Sequence, residues 1–173
     1  MSRSFDLSAD YEDSVEEVHR AFREEKYWLA RLADIPVDDA RLELLRVGGE
    51  SGDDGTIDVI TLQVVRSHNL PALVKQLHRG DLRVRREETW GPVTDGVATA
   101  SIGGSIVDTP VHVSGTAELS PISPGGARLT FRITVKVRIP IIGGKVEKLI
   151  GIHLADLVTR EQHFTTEWIT GNA

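Results

Sequence analysis

From Arg128 to Ile139 apolar and polar residues alternate without a break. Leu129, Phe131, Ile133, Val135, Val137 and Ile139 stand against Arg128, Thr130, Arg132, Thr134, Lys136 and Arg138. A period of two over that length predicts a strand with one buried and one wet face, as antiparallel sheets have. Pro140-Ile141-Ile142-Gly143-Gly144 interrupts it, and a helical period then runs from about Lys145 to Ile169. Its apolar stripe is Val146, Leu149, Ile150, Leu154, Leu157, Phe164 and Trp168. Such a helix spans about 38 Å. Neither its stripe nor the strand's apolar face is stable in water, so the two must pack together.

The rest of the chain supplies more sheet. Period-two segments near residues 3–8, 41–48, 56–66, 82–90, 96–103 and 110–119 are separated by turn chemistry such as Ser51-Gly52-Asp53-Asp54-Gly55 and Ser123-Pro124-Gly125-Gly126. Two short helices fall between the first two strands. Ser14-Val15-Glu16-Glu17 fits a capping box ahead of Val15, Val18, Ala21 and Phe22. The second runs from about Glu25 to Ala33, with Trp28, Leu29 and Leu32 on its apolar side, and ends before Pro36. With no repeat or linker in 173 residues, one domain is expected.

This order of elements resembles the START-like, or Bet v 1-like, helix-grip superfamily, which also holds polyketide cyclases and lipid-transfer domains. Glu87-Glu88-Thr89-Trp90 after a helical insertion, and Pro140-Ile141-Ile142-Gly143-Gly144-Lys145-Val146-Glu147 before the last helix, resemble an uncharacterised bacterial family within it. The resemblance implies an α+β fold with a curved seven-stranded antiparallel sheet around a long C-terminal helix. It also implies a cavity between sheet and helix for a small hydrophobic molecule, lipid-like or polyketide-like, and no particular reaction.

The residues expected to line that cavity are Leu73, Trp90, Val113, Phe131, Ile133, Ile150, Leu154, Leu157 and Phe164, with His153 and Glu161 as polar groups among them. The alternative is that the same apolar residues pack as a solid core, as in a ligand-free interaction module. Small residues on one strand (Ala98, Ala100, Ser101, Gly103 and Gly104) favour empty space. A buried carboxylate or imidazole is costly without a partner. His153 and Glu161 therefore either orient a ligand or are satisfied internally, Glu161 by an arginine such as Arg86 and His153 by a backbone carbonyl. As an acid and base they would suit a cyclase or hydratase, but no third group completes a catalytic site. The amphipathic stretch 67–81, with Leu70, Leu73, Val74 and Leu77, is either a lid over the cavity or a permanent seal.

Other classes are disfavoured. A net charge of −6 argues against nucleic acid as the main partner. The charge is uneven, with net −9 over residues 1–60 and +3 over 61–173. The outward bases Arg128, Arg132, Lys136 and Arg138, with Arg83 and Arg85, either touch an anionic membrane transiently or keep the sheet face solvated. There is no cysteine, and the histidines lack metal-site spacing, so neither metal nor cofactor is expected. The absence of a signal-like N-terminus or a spanning apolar run suggests the cytoplasm.

Overall fold

The strand and helix periods read from the chain fold as expected in a computed structural model. It describes residues 2–70 and 72–172, apart from the side chains of Leu73 and Leu77. The strands are β1 (Ser2–Tyr11), β2 (Asp39–Val47), β3 (Ile57–Val65), β4 (Leu82–Trp90), β5 (Ala98–Ile106), β6 (Val111–Ile122) and β7 (Gly126–Val137). They form one antiparallel sheet in the order β1-β7-β6-β5-β4-β3-β2. Helices α1 (Val15–Phe22) and α2 (Glu25–Asp34) follow β1, α3 (Ala72–Leu77) lies between β3 and β4, and α4 (Gly143–Gly171) follows β7. This is the helix-grip architecture. β5 sits two to three residues later than its sequence period suggests, and α4 starts at Gly143, so the glycine pair opens the helix rather than preceding it.

Local chemistry explains the boundaries. Ser14 caps α1 with the expected box: its Oγ accepts from the Glu17 amide at 3.2 Å, and the Glu17 carboxylate accepts from the Ser14 amide. Along β7, Leu129, Phe131, Ile133, Val135 and Val137 are all buried. Gly115 on β6 lies so close to β7 that a methyl group there would collide with the carbonyl of Arg132.

The two ends of the sheet differ. At one end α1 and α2 close the interior with an aromatic cluster, in which Phe22 lies 5.4 Å from Trp90 and 5.9 Å from Trp28 between ring centres. Ala98 and Ala100 are buried in the same core cluster as these aromatics. Ser101 and Gly103 lie on the opposite, outer face, as their pairing with Thr89 and Glu87 requires. At the other end lie the 66–81 insertion, the 107–110 turn and the 138–142 loop. There the inward-facing apolar residues Val84, Ile106, Val113 and Ile139 are only half-buried.

Candidate functional site

The residues of α4 that are deeply buried are Gly143, Glu147, Gly151, Glu161 and Thr165, none with a large apolar side chain. At 100° per residue this seam lies roughly 70° around the helix from the apolar stripe. Close approach to β1 sets the rotation. Gly151 lies against the ring of Phe5, where a methyl group would not fit, and the Gln162 amide donates to the Asp10 carbonyl at 2.9 Å. On the helix's other flank Phe164 and Trp168 meet Tyr27 of α2, with ring centres 5.8 and 5.9 Å apart. α2 ends at Asp34, whose carbonyl accepts from Arg160. Before that point in the helix, the stripe residues Val146, Ile150, Leu154 and Leu157 are half-buried, as Phe164 and Trp168 are, but no aromatic side chain of α2 meets them.

Where Glu161 enters the interior it meets a cluster of charges. Arg86 of β4 donates through Nη1 and Nη2 to the two Glu161 oxygens, at 2.7 and 3.1 Å. Arg31 of α2 binds the same carboxylate. Glu88 completes the group, 3.2 Å from Arg86 Nε and accepting from the Trp90 indole at 3.2 Å. Arg31 also donates to the Tyr27 hydroxyl, and its guanidinium lies 4.6 Å from the Trp28 ring centre. The Thr165 hydroxyl donates to the Glu161 carbonyl at 2.8 Å, so Tyr27, 2.6 Å away, must donate to Thr165.

Burial alone would push the Glu161 carboxyl up, but the two guanidiniums, Arg31 foremost, override it and hold it at about 2. Burial also raises the nearby phenols Tyr11 and Tyr27, which stay neutral. The space among Tyr11, Phe22, Phe131, Val158 and the charges is about 10 Å³, roughly one water. The space beside the charge cluster is therefore too small for a ligand.

The expected lining residues thus divide. Trp90 is wholly buried among aromatics, and Phe131 borders the water-sized space. Ile133 is buried in the sheet, and Phe164 belongs to the cluster around Tyr27. Val113, Ile150 and Leu154 are each half-buried and packed against the edge of the core. Leu157 is half-buried, and Val158 takes the place beside the core expected for it. The Leu73 side chain lies outside the described residues.

Glu161 takes Arg86 as its partner, the alternative the sequence offered. His153 is exposed, because its position falls about 120° from the buried seam. The acid–base pair of His153 and Glu161 is therefore not assembled. A carboxyl held near 2 also makes a weak proton acceptor.

Sequence reasoning missed Arg31, Glu88 and Glu147. Glu88 could have been found from strand parity, since it lies between Arg86 and Trp90 on the inward side. Glu147 lies two heptads before Glu161 on the same face of α4. It is fully buried. One oxygen accepts from the Val137 amide at 3.0 Å, and Oε1 has no hydrogen-bond partner among the described residues. A second hollow, of about 960 Å³, is an open polar depression on the outer face, lined by Ser8, Thr89, Thr99, Thr116, Glu118 and Arg132 among others. Among the described residues no helix is long and apolar enough to cross a membrane, and no cluster of three or more potential metal ligands occurs.

Solved structures share this architecture. Norcoclaurine synthase from Thalictrum flavum, in complex with dopamine and hydroxybenzaldehyde, aligns with a TM-score of 0.58 at 10% identity over 100% of this chain and 89% of its own. The Zhui aromatase/cyclase of a Streptomyces species aligns at 0.54 and 10% identity, over 99% and 93%. A START superfamily protein from Mycobacterium smegmatis aligns at 0.54 and 10%, over 98% and 99%. At the level of sequence, uncharacterised proteins of Mycobacterium bovis and Mycobacterium tuberculosis are 71% identical, with 99% of each chain covered. The model of the family described as "Protein of unknown function (DUF2505)" matches residues 6–169. The chain belongs to that family, on a START-like helix-grip fold.

Proposed function

We propose that the protein binds a small hydrophobic molecule in the half-open end of the grip, between the N-terminal half of α4 and the sheet. The observation that carries this is the displacement of α4's apolar stripe from its buried seam. It leaves Val146, Ile150, Leu154 and Leu157 half-buried beyond α2, on the stretch of helix that leads from the end where Val84, Ile106 and Val113 are also incompletely covered. Burying about 200 Å² of this apolar surface would supply about 5 kcal/mol before ordering costs.

Arg86 sits at the inner limit. Its side chain is 24% exposed while those of Glu88 and Glu161 are 4% and 9%, so it is the member of the charged group that can meet a polar end of a ligand. Insertion 67–81 would cover the opening, with α3 as its lid.

Fold neighbours whose names record an aromatase/cyclase or a bound aromatic amine and aldehyde support the ligand class, not a reaction. Titration with a fluorescent fatty acid and with an aromatic polyketide tests the proposal. We expect saturable binding that Leu154→Trp weakens at least about tenfold by filling the space. Absence of saturable binding to either probe, or equal binding by a folded Leu154→Trp protein, overturns it.

A further inference from the structure

The loop between β7 and α4 carries a feature that neither packing nor the proposed ligand site explains. Ile141 is 101% exposed and adopts φ = +70°. A β-branched residue in the left-handed region is strained, and a fully solvated isoleucine gains nothing from burial that would offset it. The loop is held from both stems. Gly143 N donates to Ile139 O, Arg138 N donates to Pro110 O, and Glu147 caps the last amide of β7. The apolar tip is thus set outward by structure beneath it.

The surroundings of that tip are cationic. Lys136, Arg138, Lys145 and Lys148 are exposed, and none has an ion-pair partner among the described residues. The one acid in this stretch, Glu147, is inside the protein. The same end of the sheet carries Arg3, Lys75 and Arg79, also exposed and without ion pairs among the described residues. Its acids are engaged: Asp38 by the Arg66 amide, Asp81 by Arg66 and Ser67, and Asp108 by Arg83. The outward bases farther along the sheet are neutralised, Arg128 by Asp10, Arg132 by Asp6 and Arg85 by Glu43 and Glu87. At the opposite end the β1–α1, β2–β3, β4–β5 and β6–β7 connections hold Glu12, Asp13, Glu50, Asp53, Asp54 and Asp95 and no base, and the α1–α2 connection adds one of each sign, Arg23 and Glu24. The molecule is therefore polarised along its strands, positive where the interior is incompletely closed.

We infer that this end docks on an anionic phospholipid surface, with Ile141 entering the interfacial region and Lys136, Arg138, Lys145 and Lys148 binding the headgroups around it. An apolar tip ringed by unpaired cations fits a bilayer boundary, where greasy and anionic layers lie within a few ångströms of each other. A polyanion such as nucleic acid would use the cations and leave Ile141 in water. Docking in this orientation turns the half-open end of the grip toward the bilayer.

Co-sedimentation of the full chain with vesicles of phosphatidylcholine alone, and of phosphatidylcholine mixed with phosphatidylglycerol, tests this without any ligand. A failure here leaves the hydrophobic-ligand proposal standing. The protein is expected on the mixed vesicles and not on the neutral ones, less so as salt rises. Each basic side chain near such a surface is worth about fivefold in binding, so Lys145→Glu with Lys148→Glu should weaken it by about a hundredfold or more. Ile141→Ser should weaken it about tenfold. Ile141→Trp should gain fluorescence that is quenched by lipids brominated in their acyl chains, against the background of the three native tryptophans. No binding to anionic vesicles, binding that both sets of substitutions leave unchanged, or an unquenched Ile141→Trp overturns the inference.

Discussion

Arg31 reaches Glu161, Glu88 and Tyr27 from the middle of α2 while lying over Trp28, and it is almost wholly buried. Removing one member of a buried charge cluster strands the others, at a cost of about 3–5 kcal/mol. Arg31→Met should therefore lower the urea midpoint sharply, whereas Arg128→Ala, which breaks an exposed pair with Asp10, should leave it nearly unchanged. The pH response has a fixed sign. Glu161 is shifted down from 4.5 to about 2, so the unfolded chain binds the extra proton. Stability present above pH 4.5 is lost as pH falls toward 2, by about 3 kcal/mol in all. His19, whose Nε2 donates to the Gly91 carbonyl, is depressed by burial from 6.5. It adds an earlier loss that begins as pH drops below 6.5. Urea denaturation at several pH values should show a two-stage acid limb, and His19→Gln should remove the first stage. Little of this cluster was legible in the sequence. Arg86 as a partner for Glu161 followed from the cost of a buried carboxylate, but Arg31 looks like any helix arginine until tertiary packing places Tyr27 and Trp28 around it.

Among the elements, β6 and β7 approach closely at Gly115, and the obstacle to a side chain there is backbone, which cannot swing aside. Gly115→Ala should cost about 1–3 kcal/mol, read from the shift in thermal midpoint, although alanine is ordinarily the better residue in regular structure. Strands were easy to read because period two marks them residue by residue, as in 127–139. The last helix was easy to find and hard to orient. Counting apolar residues put its centre on the stripe through Ile150, Leu157 and Phe164. The fold instead buries glycines against Phe5 and β7, and polar side chains against Arg31, Arg86 and Val137. His153 was misplaced for the same reason. Hydrophobicity predicts which side of a helix avoids water, not where a neighbouring strand comes nearest.

For the whole molecule, closure differs between the two ends. The aromatic cluster under α1 and α2 seals one end, while α3 has six residues. Hydrogen exchange should follow this division. Amides in β6 and β7 are expected to exchange only by global unfolding, and those of 72–78 by local opening orders of magnitude faster. A bound hydrophobic ligand should slow exchange in 72–78 and leave β6 and β7 unchanged. If 72–78 is as protected as the central strands without ligand, the lid role falls.

Glu147 places one further condition on this end of the protein. Its carboxylate ties the close of β7 to the first turns of α4, so only five residues, 138–142, bridge two fixed posts. A span that short between immobile supports has few shapes available before any encounter. The isoleucine at its apex would lose little conformational freedom on contact, and more of the contact energy would remain as affinity.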